Sequence, residues 1–193
     1  MLHDQDSTPN EITDMNRVIA TSVAIALALG IGATTAAFAD QTEGAEMTAV
    51  LKAPVTPTQA VKIAERGGGH AYDYGMEANG HGHWYEVAVL RGGAKLLLRI
   101  DASTGKILGS APARGEDARG AHALEGSKLN FASAIAQAER TGNGPALEAD
   151  AAGHGKDAHV DVDIIEHHGT QIAHYRVSMH NGQMRSTLAG SDS

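Results

Sequence analysis

One short pattern occurs twice in this chain of 193 residues, and the repeat constrains the architecture more tightly than any single motif. Residues 60–68, Ala-Val-Lys-Ile-Ala-Glu-Arg-Gly-Gly, return at 134–142 as Ala-Ile-Ala-Gln-Ala-Glu-Arg-Thr-Gly. Residues 99–107, Arg-Ile-Asp-Ala-Ser-Thr-Gly-Lys-Ile, return at 176–184 as Arg-Val-Ser-Met-His-Asn-Gly-Gln-Met. The second copy holds three more residues between the two segments than the first. A helix-like motif and a strand–turn motif therefore recur in the same order. The chain is expected to fold as two related units.

Local patterns give each unit its elements. Thr56-Pro57-Thr58-Gln59 is a helix start: a capping hydroxyl, a proline in the first turn and Gln three residues after the Thr. Ala60, Ile63 and Ala64 form an apolar stripe, and Gly67-Gly68-Gly69 ends it. Strands are expected near 71–78, 83–90 and 94–101, with turns at Asn79-Gly80 and Gly92-Gly93. Leu96, Leu98 and Ile100 share one face of the third strand; Leu97, Arg99 and Asp101 share the other. The equivalent faces in the second copy are Ala173, Tyr175 and Val177 against His174, Arg176 and Ser178. The second unit has Asn130 as helix cap, a helix over 131–140, and strands near 146–151, 159–166 and 170–179. The expected fold class is α+β: two repeated modules, each a helix followed by a three-stranded antiparallel sheet packed on it. The expected boundaries are a flexible leader at 40–53, module one at 54–110, a linker of small and polar residues at 111–126, and module two at 127–193. A module of that size has a marginal core alone, so the two are expected to pack together.

The start of the chain reads as an export signal. Arg17 precedes an apolar run, Val18 to Ile31, and Ala37 and Ala39 suit a signal-peptidase pocket, which makes Asp40 the first mature residue. The competing reading is an uncleaved anchor, because the uncharged stretch 18–39 is long enough to span a bilayer. Asp4, Asp6, Glu11 and Asp14 are out of character for a signal, so residues 1–14 are expected to be a start-site artefact, with Met15 as the true start. The expected location is the periplasm or the exterior, with no stable membrane insertion after signal removal. The chain has no cysteine, which rules out disulfides, thiolate metal sites and a lipidated cysteine. Its net charge of −8, without a Lys/Arg run, argues against nucleic acid.

The residues also resemble a family. Thr56-Pro-Thr-Gln-Ala-Val-Lys-Ile-Ala64, then Trp84-Tyr-Glu-Val87, then the Asp101-x-x-Thr104-Gly105-Lys106 turn are similar to a PepSY domain. The second copy is looser: Ser178 stands for the Asp and Gln183 for the Lys, while Gly182 keeps the turn glycine. PepSY domains occur in the propeptides of secreted metalloproteases, where they are implicated in inhibition, and in stand-alone exported proteins. The resemblance implies a non-enzymatic protein that binds or regulates an envelope partner, such as a protease. The departure at Ser178 removes any role tied to that Asp from the second copy.

Ten of the 11 histidines follow residue 39, many near expected turns. His81 and His83, two apart, would offer two imidazoles to Cu(II), Ni(II) or Zn(II). His167 and His168, opposite His174 or Asp163, would form a second group. A histidine-dependent metal-binding protein is therefore the alternative function. Against it, no histidine is shared between the copies, and solvated turn histidines account for the same pattern. No cofactor is otherwise expected. The chain lacks a Gly-x-Ser-x-Gly elbow, a His-Glu-x-x-His helix and a phosphate loop, so no catalytic residue is assigned.

Overall fold

The computed structural model describes residues 35–188, with side chains over 43–186. The elements in chain order are α1 (Thr35–Lys52), α2 (Pro57–Glu65), β1 (His70–Asn79), β2 (Gly82–Arg91), β3 (Ala94–Asp101), β4 (Ile107–Pro112), α3 (Phe131–Gly142), β5 (Ala146–Ala152), β6 (His159–Glu166), β7 (Gln171–Ser178) and β8 (Met184–Leu188). Two short 3₁₀ turns, Gly115–Ala118 and Gly155–Asp157, lie in the connections.

All eight strands join one antiparallel sheet in the order β4-β3-β2-β1-β5-β6-β7-β8. This overturns the expectation of two modules with separate three-stranded sheets. Two findings make the difference. After the Gly105 and Gly182 turns the chain doubles back, and β4 and β8 add a fourth strand to each half. The free edges of β1 and β5 then pair with each other, Asp73 opposite Asp150, Tyr74 opposite Ala149 and Gly75 opposite Glu148. A half with one helix buries too little apolar surface to stand alone, and an unpaired β1 edge would leave backbone groups without partners.

One sheet face is apolar and carries α2 and α3. Tyr74, Tyr85, Val87, Val89 and Ile100 on the first half, and Val160, Val162, Ile164 and Val177 on the second, are fully buried there. Helix α2 starts on a complete capping box: Gln59 N–H donates to the Thr56 hydroxyl, and Thr56 N–H donates to the Gln59 side chain. In α3, Ser133 N–H donates to the Asn130 side chain. Its last turn closes at Asn143, which is left-handed. Both helices lay Ala-rich stripes on the sheet: Ala60, Val61 and Ala64 in α2, Ala134, Ile135 and Ala138 in α3.

The halves share a hydrogen-bond pattern. Glu65 Oε1 accepts from Ala71 N–H at 3.0 Å, and Glu139 Oε1 accepts from Ala146 N–H at 3.3 Å. Each helix thus ties down the first strand that follows it through the acid that the two helices share. Gly105 N–H donates to Asp101 O and Gly182 N–H to Ser178 O, with φ of 71° at both glycines. Val55 N–H donates to Ala102 O, and Lys128 N–H donates to Met179 O.

The ends of the chain differ from the sequence-based boundaries. Residues 40–53, expected to be a flexible leader, lie mostly in α1, which packs against β1 and β5. Strand β4 runs two residues beyond the expected end of module one. The expected cleavage point, Ala39–Asp40, falls within α1, where neither side chain is described; the rest of the expected signal lies largely outside the described residues. Among the described residues no helix is long and apolar enough to cross a membrane.

Candidate functional site

Alternation in the strands puts the polar side chains on the face away from α2 and α3. At the seam this face presents Asp73 and Glu77 from β1, Glu148 and Asp150 from β5, and Asp161 and Asp163 from β6. Asp73 and Asp150 stand directly opposite each other, so each carboxyl makes it harder for the other to ionise. Burial, then the Asp150 charge, pushes the Asp73 carboxyl far above the usual carboxylate range. Desolvation with Asp150, Asp163, Glu77 and Glu43 nearby pushes Glu148 up to about 7, although its side chain is exposed. Helix α1 adds Glu46, which desolvation together with Glu77, Glu148 and Glu43 pushes up to about 7. The result is an acidic shelf across the joint between the halves.

Cations flank the shelf without neutralising its centre. Arg99 on β3 lies directly opposite Glu86 on β2, donates to it at 2.8 Å and stacks over Trp84 at 5.4 Å. Arg176 on β7 lies directly opposite Asp161 on β6 and donates to both carboxylate oxygens, at 2.7 and 2.8 Å. The repeat thus places an Arg–acid pair at equivalent sites in both halves. The segment after β4 crosses this face: Tyr72 Oη donates to Asp117 O, and Lys95 Nζ donates to Ala118 O. A Cβ on Gly120 would lie 2.1 Å from Ala151 O, so the crossing is close.

The histidines do not assemble. His81 lies in the β1–β2 turn, its N–H donating to Asn79 Oδ1, and Gly82 at φ 142° separates it from His83, so the two are not successive positions on one extended face. His167 and His168 form the β6–β7 turn with φ of 48° and 60°. His174 lies directly opposite Asp163, and their side chains hydrogen-bond. That pair sits three strand positions from the turn, about 10 Å along the strand, so it is out of ligand reach of His167 and His168. Among the described residues no group of three or more His, Asp and Glu is disposed to hold a metal ion.

Asp101 anchors the turn that suggested a family. Its Oδ1 accepts from Ser103 N–H, Thr104 N–H and the Thr104 hydroxyl. Hydrogen bonding from the Thr104 side chain, more than any charge, lowers its pKa. Gly105 has a φ of 71°, which favours glycine, whereas a Cβ there would press only on the movable end of Ile63, Cδ1 at 2.9 Å. At the second turn Asn181 Oδ1 accepts from Gln183 N–H.

Strand β4 is the surface that sequence reasoning missed. Among the described residues it ends the sheet on one side, and its outer backbone groups have no strand partner there. Its first two residues, Ile107 and Leu108, are 46 % and 53 % exposed and, with Leu51, are the exposed large hydrophobics of the described residues. The available signal was weak. Ile-Leu-Gly-Ser-Ala-Pro lacks alternation and is short, and a solvated edge imposes no pattern.

No family profile matches the chain, and no curated protein sequence matches it. Two solved structures are similar. One, from Clostridium difficile 630 and described as a "putative lipoprotein", shares 16% identity at a TM-score of 0.39, over 72% of this chain and 98% of that one. The other, YpmB protein from Bacillus subtilis, shares 17% identity at a TM-score of 0.29, over 62% of this chain and 84% of that one. At these TM-scores neither likeness carries an argument about fold or role.

Proposed function

We propose that this chain is an exported, non-catalytic binding protein of the cell envelope, PepSY-like in its helix–strand–turn pattern. In this reading it engages an extended segment of a partner polypeptide by strand addition at β4. The carrying observation is the open β4 edge with Ile107 and Leu108 in solvent. An unpaired edge offers a row of backbone donors and acceptors, and folded proteins usually blunt such edges with charge or cover. Here the edge begins with two apolar side chains, and its blunting devices are the bulge opposite Arg99 and Ile100 and the proline at its far end, Pro112. Main-chain bonding would supply affinity, and the two side chains would give the contact register. The Asp101 turn, which sets the start of β4, and the apolar run at 18–31 support the PepSY-like and exported parts of the reading.

The test is a photoreactive amino acid at position 108 in cells expressing the chain. Cross-linking to a defined polypeptide should occur with the wild-type edge and be lost with Ile107→Lys. That change leaves the core intact because Ile107 faces solvent. Absence of a cross-link, or one that survives Ile107→Lys, would refute strand addition at β4.

A further inference from the structure

We infer that α1 is a pH-sensitive strap across the seam end of the sheet, seated while the Glu46, Glu77 and Glu148 carboxyls hold protons among them and loosened when those protons leave. This inference is independent of the β4 reading. It starts from how little holds the strap. Val50 is the buried residue among the described positions of α1, with Met47 and Ala49 partly buried, all in its C-terminal half. Glu43, Gly44 and Ala45 are exposed. Gly44 within the helix lowers its intrinsic stability relative to Ala. Half-buried Glu46 lies at the boundary between the anchored turns and the exposed ones.

Its neighbours are acids. Gly75 on β1 lies opposite Glu148 on β5, and Glu77, two residues on, shares their face. Helix α1 packs on both strands, and half-buried Glu46 is near enough to feel the charges of Glu77 on one and Glu148 on the other, with Glu43 one turn away on its own helix. Glu77 faces Glu86 on β2, Arg99 on β3 and Asp117 in the 3₁₀ turn. Glu148 faces Asp150 on its own strand and Asp163 on β6. On this face Arg99 pairs with Glu86 and Arg176 with Asp161, the His174 side chain hydrogen-bonds Asp163, Lys95 donates to Ala118 O, and Arg185 on β8 lies opposite Arg176, on the far side of β6 and β7 from the seam. Lys52, in the last turn of α1, is exposed and lines the cleft beside Ala78 and His83. Protonated, the three carboxyls can lie together and exchange hydrogen bonds. Ionised, they repel across the contact that seats α1, and like charges brought face to face on a sheet destabilise.

Desolvation and mutual repulsion raise half-buried Glu46 to about 7, and raise Glu148 to about 7 as well although its side chain is exposed, so the change falls near neutral pH. Amide hydrogen exchange on the protein isolated from cells tests this, at pH 5.5 and 8.0, corrected for intrinsic exchange, with α2 and α3 as reference. Protection of the amides at 45–52 should fall about tenfold, relative to that reference, as the pH rises. Glu46→Gln cannot ionise and should hold the pH 5.5 protection at pH 8.0, and Glu148→Gln should reduce the fall. Equal α1 protection at both pH values in the wild type would overturn the proposal. So would the same fall in Glu46→Gln.

Discussion

Replacing Glu139 tests how the halves are coupled on the helix side. Its Oε1 accepts from Ala146 N–H at 3.3 Å and its Oε2 from the Thr58 hydroxyl at 2.8 Å, so one carboxylate ties α3 to β5 and to α2. Ala146 is fully buried, and Glu139→Ala leaves its N–H without that acceptor, at a cost of about 1–3 kcal/mol. The Thr58 hydroxyl is half-buried and can turn to water, which adds less than about 1 kcal/mol. Desolvation raises the Glu139 pKa, so removing the charge returns part of the loss. The net expectation is about 2 kcal/mol, roughly a 1 M drop in urea midpoint for a domain of this size. Glu139→Gln keeps an acceptor and should cost under about 1 kcal/mol. Glu65 is the internal control, because it accepts from Ala71 N–H alone. A double-mutant cycle should give about 1 kcal/mol of coupling between Thr58 and Glu139, and none between Thr58 and Glu65. A midpoint shift below about 0.3 M for Glu139→Ala, or equal coupling in the two cycles, would refute the argument.

Three further outcomes are expected. His167 and His168 hold left-handed backbone in a turn whose preferred sequence is Asn-Gly, so His167→Asn with His168→Gly should raise stability by about 1 kcal/mol in a urea titration. Gly144→Ala should destabilise by more than about 3 kcal/mol or abolish soluble expression, because its Cβ would lie 1.9 Å from Ile165 O. Stability should also depend on pH with a definite sign. Glu46 and Glu148 have folded pKa values near 7, above the ordinary 4.5, so between those values the native state keeps protons that the unfolded state has released. Thermal midpoints should therefore decline as the pH rises from about 4.5 to about 7, and less steeply beyond, where Asp73, raised to about 9, still keeps its proton. Because both groups reach solvent, the total is roughly 1–2 kcal/mol. A midpoint that rises over that interval would contradict the assignment.

The sequence is most legible where a local rule decides the structure. The α2 capping box, the Gly105 and Gly182 turns and the alternation along β3 follow from residues close together in the chain. The β1–β5 seam does not. It joins positions more than 70 residues apart, and neither strand announces which of its edges is free. Counting three strands per module missed β4, whose solvated edge leaves no alternation, and β8. Helix α1 escaped notice because its apolar residues form no stripe. The His167-His168 turn was legible as a turn, through Gly169, yet its left-handed histidines were not, since that conformation usually goes to Asn and Gly. Among the site residues, the histidines drew attention by their number. The seam carboxylates matter through a cross-strand pairing that spacing in the sequence does not reveal.

A designed cross-link tests the continuous sheet most directly. The chain has no cysteine, Gly75 lies opposite Glu148, and a Cβ at Gly75 would meet nothing within 4 Å. Directly opposed antiparallel residues have Cα atoms about 4.5–5.5 Å apart, within the range a disulfide spans. With Gly75→Cys and Glu148→Cys, mild oxidation should give a monomer with one internal disulfide and an unchanged circular dichroism spectrum. Thiols that stay free, or that link only between molecules, would show that β1 and β5 are not neighbours and that the halves do not share one sheet.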